Sequence, residues 1–416
     1  MRHLPAAILI ALGLASPAAA QAPLAAWVEM TGAGAQVRAV SEGDACPALS
    51  VDGRSHAMTL RAGPSEAFAN RICEAPLPHG ARRASVAGAP LPLSKARPQR
   101  IVILGDSGCR LKGKVVQDCN DPVAGWPFAK VAALATARRP DLVIHVGDYY
   151  YRETACKDGD RACAGSPFGD RWPTWKAELF DPAAGLLKAA PWVFARGNHE
   201  DCARGGKGWF RLLDADPKAR TCPAQSDTFA VDIGGLRLAV IDTADGDDNT
   251  KDSAEIAALV ARLKAIPAGT TPVWLVTHRP IWIVKRQDTV LSDDGGNANE
   301  REAVRAQGLG RVELVVVGHK HNFTSLDFGA GRPGQLLVGT GGDVLEKGET
   351  PPPVIGPVVV DGLQAQAFTM GRFGYFVFDR KGGAGGHDWV GAFHDLTDAV
   401  IARCTLHADR LSCIEA

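Results

Sequence analysis

The chain has 416 residues, of which 46% are hydrophobic and 22% charged, with 46 basic and 46 acidic side chains. This balance excludes a general attraction to nucleic acid or to an anionic membrane, so an anionic substrate has to be held by a local site. The length allows a sizeable core in one large domain or two.

Residues 1–20 are predicted to be a signal peptide. Arg2 and His3 precede the apolar run LPAAILIALGL, and the segment SPAAA offers a cleavage site between Ala20 and Gln21. A membrane anchor is the alternative, but the run is too short and its flanks are small residues. No later apolar run approaches the roughly 20 residues of a span. We therefore expect export, to the periplasm or out of the cell, and no membrane span in the mature protein.

Ten cysteines support this expectation, because an even number outside the signal segment is typical of an oxidising compartment. No C-x-x-C is present, which argues against a cysteine zinc site. Neighbours along the chain are the natural partners, although a sequence does not fix connectivity. These pairs are Cys46 with Cys73, Cys109 with Cys119, Cys156 with Cys163, Cys202 with Cys222, and Cys404 with Cys413.

The predicted elements divide the mature chain into two parts. Residues 21–99 contain short β-like pieces such as QVRAV and HAMTL, which predict a small β-rich module followed by a linker. From residue 100 to 416, predicted strands alternate with helices, which indicates a layered α/β domain. The predicted strands are RIVILGD, DLVIHVGD, PWVFARGN, PVWLVTH, VELVVVGH and a hairpin in TFAVDIGGLRLAVIDT. The predicted helices are WPFAKVAALATARR, TWKAELFDPAAGLLKAA, DSAEIAALVARLKAI and ANEREAVRAQ.

Potential metal ligands follow five of these strands. Because ligands of open α/β sheets bind outside the carboxyl ends of strands, these side chains are expected at one rim. A single Asp in such a place is usually a turn former or a helix cap. The side chains are Asp106, Asp148, Asn198, His278, His319 and His321.

The segments around these residues resemble the five sequence blocks of the calcineurin-like metallophosphoesterases. They are GDSG (105–108), GDYYY (147–151), GNHE (197–200), VTH (276–278) and GHKH (318–321). The resemblance covers about half of the chain. It implies an α-β-β-α sandwich of two mixed sheets flanked by helices, with two metal ions at the rim.

Tyr151 links the chain to the purple acid phosphatase branch of that family. Most members have a histidine ligand in the first block, where this chain has Gly108. The purple acid phosphatases also lack that histidine and have a tyrosine three residues after the Asp of the second block. A phenolate is a hard anionic ligand that suits ferric iron. The alternative is that Tyr151 only packs at the strand end. Tyr149 and Tyr150 are expected to pack at the rim or to line the substrate cleft.

The resemblance implies a ligand set with Asp148 as the bridge between the two ions. Fe(III) is expected in the tyrosine site, and iron, zinc or manganese in the second site. Two such cations turn a bridging water into hydroxide and stabilise the attacking and leaving oxygens. The implied ligands are Asp106, Tyr151 and His321 for the first ion, and Asn198, His278 and His319 for the second.

Two further residues are candidates for catalysis. His199 is placed to bind the phosphoryl group or to protonate the leaving oxygen, and a supporting structural role is its alternative. Arg152 is a candidate phosphate ligand, although a lone arginine is usually solvated. The branch usually has another histidine after the VTH block, but RPIWIVKRQDTV contains none. Esters with good leaving groups are therefore expected to be preferred.

The sequence thus predicts an exported phosphomonoesterase that acts on a small phosphate ester without specific nucleic-acid binding. A phosphodiesterase or nucleotide hydrolase on the same site is the alternative within the family. An inactive binding module is a different class of protein. It is disfavoured because no ligand position is lost without a replacement.

Overall fold

A computed structural model describes residues 22–217, 221–266, 269–329, 331–382 and 387–416. The predicted signal peptide, residues 1–20, lies outside the described residues. Among the described residues, no helix has both the length and the apolar character that crossing a membrane requires.

Strands far outnumber helices along the described part of the chain. The first strands are β1 Ala25–Thr31, β2 Gly34–Ser41, β3 Ala48–Val51, β4 Arg54–Ala57, β5 Thr59–Ala62, β6 Arg71–Pro76, β7 Ala84–Val86, β8 Ala89–Pro90, β9 Arg100–Leu104, β10 Leu111–Lys112, β11 Val115–Val116, β12 Leu142–His145 and β13 Trp192–Phe194. The later strands are β14 Phe229–Asp232, β15 Arg237–Val240, β16 Val273–Val276, β17 Val284–Gln287, β18 Val290–Asp293, β19 Val312–Val317, β20 Phe323–Asp327, β21 Gly334–Val338, β22 Val354–Val360, β23 Leu363–Met370, β24 Gly374–Arg380, β25 Trp389–Asp395, β26 Val400–His407 and β27 Arg410–Glu415. The α-helices are α1 Phe128–Ala137, α2 Trp172–Trp175, α3 Ala184–Ala189, α4 Gly206–Leu212, α5 Ser253–Ala265 and α6 Ala298–Gln307.

Two large mixed sheets form the centre of the molecule. The first has the strand order β27-β26-β25-β24-β9-β12-β13-β1-β2-β6-β5, and the second β14-β15-β16-β19-β21-β20-β23-β22. Apolar side chains of both sheets, such as Ile103 and Trp274, form one core between them. A second cluster lies under α1 and α3, and a third under α5 and α6. The predicted α-β-β-α sandwich is confirmed.

Parallel pairing at the centre of each sheet explains why the polar strand ends meet. In the first sheet β12 lies between β9 and β13 and runs parallel to both. In the second sheet β15, β16, β19 and β21 are successive parallel neighbours. Strands buried on both faces need apolar side chains throughout, as in β13 and β16. The carboxyl ends of both parallel sets open at the same rim.

The N-terminal region is β-rich, as predicted, and it continues the first sheet. β1 pairs in parallel with β13, and β2, β6 and β5 follow as antiparallel neighbours. The strands β4, β3, β7 and β8 form a small separate sheet. The buried Arg38 of β2 donates to the carbonyls of Leu212 and Asp214, which lie at and after the end of α4. A domain boundary at residue 99 therefore stays a prediction.

The helices differ from prediction in two places. The predicted single helix of TWKAELFDPAAGLLKAA is divided into α2, a π-helical turn over Lys176–Phe180, and α3. Pro182 interrupts it, because proline lacks the amide donor that a helix interior needs. Helix α4 was not predicted, because Gly205, Gly206 and Gly208 weaken the helix signal at its start. By contrast, α5 follows Asp252, whose side chain accepts two backbone N–H groups as a cap.

All five predicted disulfides are present, and the described residues contain no free cysteine. Three of them, Cys109–Cys119, Cys156–Cys163 and Cys202–Cys222, lie in the loops that follow β9, β12 and β13. Each closes a short loop and so reduces the conformational freedom of the unfolded chain. The loops that carry candidate ligands are therefore constrained covalently.

Candidate metal centre

The strand ends bring all seven candidate ligands to one place. Side chains that can hold a cation form two groups, one with Asp148, His278 and His319 and one with Asp106, Asp148 and His321. Asp148 belongs to both. The group with Asp106, Asp148 and His321 is called the first group, and Tyr151 is added to it because of the contacts described below. The group with Asp148, His278 and His319 is called the second group, and Asn198 is added to it for the same reason.

In the first group, the Tyr151 hydroxyl lies among the other donor atoms. It is 3.0 Å from His321 Nε2 and 3.4 Å from Asp106 Oδ1. It also donates to Asp148 Oδ2 over 2.8 Å. His321 Nε2 is in turn 3.4 Å from Asp106 Oδ1. Tyr151 thus contacts the candidate ligands through its oxygen and does more than fill space at the strand end.

The second group is arranged around the amide oxygen of Asn198. Asn198 Oδ1 is 3.0 Å from His278 Nε2 and 2.7 Å from His319 Nδ1. Asp148 Oδ2, which accepts from Tyr151, is also 3.2 Å from His278 Nε2. One carboxylate oxygen therefore lies between the two groups.

Two of the three imidazoles are anchored through Nδ1 to backbone carbonyls. His278 Nδ1 is 2.7 Å from the carbonyl of Val146, and His321 Nδ1 is 2.7 Å from the carbonyl of Val344. Carbonyls only accept, so these nitrogens carry the proton, and the inward Nε2 of a neutral ring offers a lone pair. Lone pairs of nitrogen and oxygen at about 3 Å repel unless a cation or proton lies between them. The donors therefore fit two cations.

Gly108 lies against the ring of Tyr151, with no room for a side chain between them. A Cβ atom at position 108 would lie 2.7 Å from Cδ2 of Tyr151 and 2.6 Å from the carbonyl oxygen of Tyr149. Real Cβ contacts are essentially never closer than 3.0 Å. This backbone thus excludes any side chain at position 108, and the Tyr151 ring occupies part of the same space.

Three candidate ligands have left-handed backbone conformations, which non-glycine residues rarely adopt. The φ angles are 54° at Asp106, 59° at Asp148 and 73° at His319. The His319 N–H donates to the Asp106 carboxylate, and the Asp106 N–H donates to the carbonyl of Gly147. Such strain is found where the surrounding structure holds a functional residue in place.

Two buried glutamates hold the ligand loops through backbone N–H groups. Glu200 accepts from residues 148, 149, 150 and 197, and Glu178 from residues 109, 151 and 152. Burial raises the pKa of Glu200 to about 8 and that of Glu178 to about 7. Glu200 belongs to the GNHE block but received no role from the sequence. Glu178 lies in the π-helical turn, where no motif marks it.

The charges of the centre favour cations. Burial lowers the pKa of His278, but Asp148 and Asp106 outweigh it and raise this pKa to about 9. His321 behaves in the same way, because Asp343 and Asp106 raise its pKa to about 9 against burial. Burial, together with Asp148, raises the pKa of Tyr151 well above its usual value. The phenol thus keeps its proton unless a cation replaces it.

The two candidate catalytic residues differ in position. His199 lies over the Tyr151 ring with centroids 3.9 Å apart, and its Nδ1 is 2.7 Å from Glu153 Oε1. Arg152 is only 5% exposed, and its guanidinium contacts Glu178 and Trp126. The phosphate-binding role of Arg152 stays a prediction that these contacts do not favour.

Sequence reasoning missed Asp248, which lies in the loop after β15. Its Oδ2 is 2.7 Å from His319 Nε2, and its Oδ1 is 2.8 Å from Arg279 Nη1. Burial lowers the pKa of His319 to about 4 despite Asp248. Several aspartates occur in this loop, so its sequence does not single out Asp248.

Tyr149 and Tyr150 pack in the core, and the hydroxyl of Tyr149 donates to the carbonyl of Ala195.

Comparisons with known proteins agree with this geometry. The sequence profile described as calcineurin-like phosphoesterase matches residues 99–323, more than half of the chain. The structure is similar to purple acid phosphatase PPD1 of yellow lupin (Lupinus luteus), with a TM-score of 0.55 and 14% identity over 95% of this chain and 74% of that one. It is also similar to the structure of PhoD, with a TM-score of 0.55 and 10% identity over 96% of this chain and 94% of that one. At these identities the two likenesses concern the fold. No curated protein sequence matches the chain.

The profile match, the sandwich fold and the converging ligands together settle the family. Its members depend on a pair of metal ions, and this chain has candidate ligand groups for two. The chain belongs to the calcineurin-like phosphoesterases and is a metal-dependent phosphoric ester hydrolase.

Proposed function

We propose that the protein is an exported phosphomonoesterase of the purple acid phosphatase type. The observation that carries this proposal is the position of the Tyr151 hydroxyl, within 3.0 Å of His321 and 2.8 Å of Asp148. A phenolate there is a hard anionic ligand for ferric iron. The fold shared with a purple acid phosphatase supports the same assignment.

The proposed ligand set follows the two groups. Asp106, Tyr151 and His321 would hold the first ion, Fe(III). Asn198, His278 and His319 would hold the second, iron, zinc or manganese, and Asp148 would be shared by both. The neutral amide of Asn198 leaves the second ion more Lewis acidic than a carboxylate would. When bound, the two ions supply a hydroxide nucleophile and stabilise charge on the phosphoryl oxygens.

His199 is the proposed proton donor to the leaving oxygen. Its ring is buried beside Tyr151, and Glu153 Oε1 lies 2.7 Å from its Nδ1, so that its Nε2 is the atom proposed to reach a substrate. The backbone N–H of His199 donates to Asp148 Oδ1, which holds the residue at a fixed position relative to the bridging carboxylate. Arg152 is a weaker candidate, since Glu178 and Trp126 already contact its guanidinium.

Export is part of the proposal. Five disulfides, three of them in the ligand loops, are compatible with an oxidising compartment. Analysis of the mature N-terminus from a secreting host tests this, and the expected first residue is Gln21.

The alternative is a phosphodiesterase or a nucleotide hydrolase, which the same ligand set supports. The test is hydrolysis of an aryl phosphate, the matching aryl phosphodiester and a nucleotide by protein loaded with iron and zinc. We expect the aryl monoester to give the highest kcat/KM, because a good leaving group needs little help from an acid. A higher kcat/KM for the diester or the nucleotide would replace the monoesterase assignment.

A further inference from the structure

The three imidazoles of the metal centre are not anchored alike. His278 and His321 donate through Nδ1 to the backbone carbonyls of Val146 and Val344 and turn Nε2 inwards. His319 has the opposite orientation, with Nδ1 towards Asn198 and Nε2 towards Asp248. Its anchor is therefore a carboxylate side chain on a loop.

Asp248 is itself held by several contacts. Its Oδ1 is 2.8 Å from Arg279 Nη1 and accepts from the Asn297 amide over 3.3 Å. Arg279 is fixed in turn, because its Nε donates to the carbonyl of Thr243 over 3.0 Å. The carbonyl of Asp248 accepts the N–H of Ala298, the first residue of α6. The carboxylate is thus presented to His319 in one orientation.

A carboxylate accepts a proton donor but donates none, so it selects one tautomer of the ring it contacts. Beside Asp248, the neutral His319 ring has its proton on Nε2 and its lone pair on Nδ1. Nδ1 is the nitrogen that lies 2.7 Å from Asn198 Oδ1 in the second group.

We propose that Asp248 is a positioning residue for the second metal ion, acting through His319, and that Arg279 holds Asp248 in place. The inference rests on the proposed ligand set. Among the described residues, Asp248 contacts the second group through His319 and makes no hydrogen bond to the side chains of the first group. The loss of a partner of this kind typically lowers metal affinity 10–100-fold.

The test is titration of the metal-free full-length protein with Zn²⁺ in competition with a chromophoric chelator, without any ester. The parent protein is expected to bind two ions. Asp248→Ala is expected to weaken one of them 10–100-fold and leave the other unchanged. The matched control is Asp247→Ala, because the neighbouring carboxylate is exposed and accepts from the backbone N–H groups of Asn249 and Thr250 in its own loop.

A second readout reports the tautomer directly. In the zinc-loaded protein labelled with ¹⁵N-histidine, the parent and Asp247→Ala should show a hydrogen-bonded Nε2–H for His319, and Asp248→Ala should lose it. If Asp248→Ala does not fold, as judged by circular dichroism, the same titration of Asp248→Asn decides. The amide keeps the size of the side chain but removes its charge, so one ion should again be selectively weakened.

Two results would overturn the inference. One is equal zinc affinity in Asp248→Ala and Asp247→Ala, and the other is an equal loss at both sites. Neither measurement uses phosphate ester hydrolysis. A protein that binds two ions but fails on the ester panel would refute the monoesterase assignment and leave the role of Asp248 intact.

Discussion

The two halves of the metal centre differ in how the protein encloses them. In the first group, Asp106 and Tyr151 are fully buried, and the backbone N–H of Tyr151 donates to the carboxylate of Glu178. In the second group, the side chain of His319 is 15% exposed and that of its partner Asp248 is 24% exposed. The first group is fixed by strand ends and buried carboxylates, and the second group depends partly on a loop.

This difference has a consequence for the ions. An ion in the first group would be held by the oxygens of Asp106, Tyr151 and Asp148, whereas an ion in the second group would face the neutral amide of Asn198. The exposed fractions of the outer histidines differ little, with 11% for the His321 side chain and 15% for that of His319, so charge is the main difference. We therefore expect the first ion to exchange slowly and the second to exchange quickly. The following predictions are ordered from the largest expected effect to the smallest.

Among the described residues, Asp148 is the side chain that belongs to both candidate ligand groups. Asp148→Asn should remove both ions and lower kcat/KM about 1,000-fold, because charge stabilisation by metal ions contributes several kcal/mol. Metal analysis and aryl phosphate hydrolysis are the measurements, with the exposed Asp247→Asn as control. Retention of one ion at full occupancy would show that Asp148 belongs to one half only.

His199 contacts the first half through the Tyr151 ring but is a candidate for proton transfer rather than metal binding. His199→Asn should leave metal content unchanged and lower kcat for an alkyl phosphate about 100-fold, since acid catalysis typically contributes 10²–10⁴-fold. The loss for an aryl phosphate should be at least tenfold smaller. Equal losses for both esters would assign His199 to substrate binding instead.

A substitution of Tyr151 tests the first group alone. Tyr151→Phe should abolish the charge-transfer absorption of the iron-loaded protein, while zinc still binds the second group. Affinity for the first ion should fall by more than the roughly 10–100-fold that is typical when only a hydrogen-bond partner of a ligand is lost. Tyr149→Phe and Tyr150→Phe are matched controls and should keep the absorption band. Tyr149→Phe should cost about 1–3 kcal/mol of stability because the Ala195 carbonyl loses its donor. An unchanged band in Tyr151→Phe would make Tyr151 a packing residue.

Removing one disulfide at a time compares the loops around the metal centre with the strands β26 and β27. Replacing Cys202 and Cys222 by serine should lower the free energy of unfolding by about 2–4 kcal/mol and reduce activity a few-fold, since that pair closes the loop beside Asn198 and His199. Replacing Cys404 and Cys413, which link β26 to β27, should have a similar effect on stability and none on activity. Urea denaturation and aryl phosphate hydrolysis measure the two effects. Equal activity in both variants would contradict a role for the rim disulfide.

Much of the fold could be predicted because its strands are buried on both faces. A strand such as β13 or β16 needs a continuous apolar run, and that pattern is visible in the sequence without knowledge of its neighbours. The candidate ligands were equally visible, because each follows such a run. The glycine-rich start of α4 and the interrupted helix around Pro182 were mispredicted, since propensity there is weak or contradictory.

The sequence by itself identified which residues could bind metal and the combination of a glycine at 108 with a tyrosine at 151, and it made cysteines close along the chain the natural disulfide partners. Only the tertiary structure decided that strands of residues 21–99 continue the first sheet, that Glu178 holds the Tyr151 loop, that Arg152 turns towards Trp126, and that Asp248 orients His319. The physical reason is sequence separation. Strand patterns and short disulfide loops are local, whereas a contact such as that between Asp248 and His319 joins residues 71 positions apart, and only folding brings them within hydrogen-bond distance.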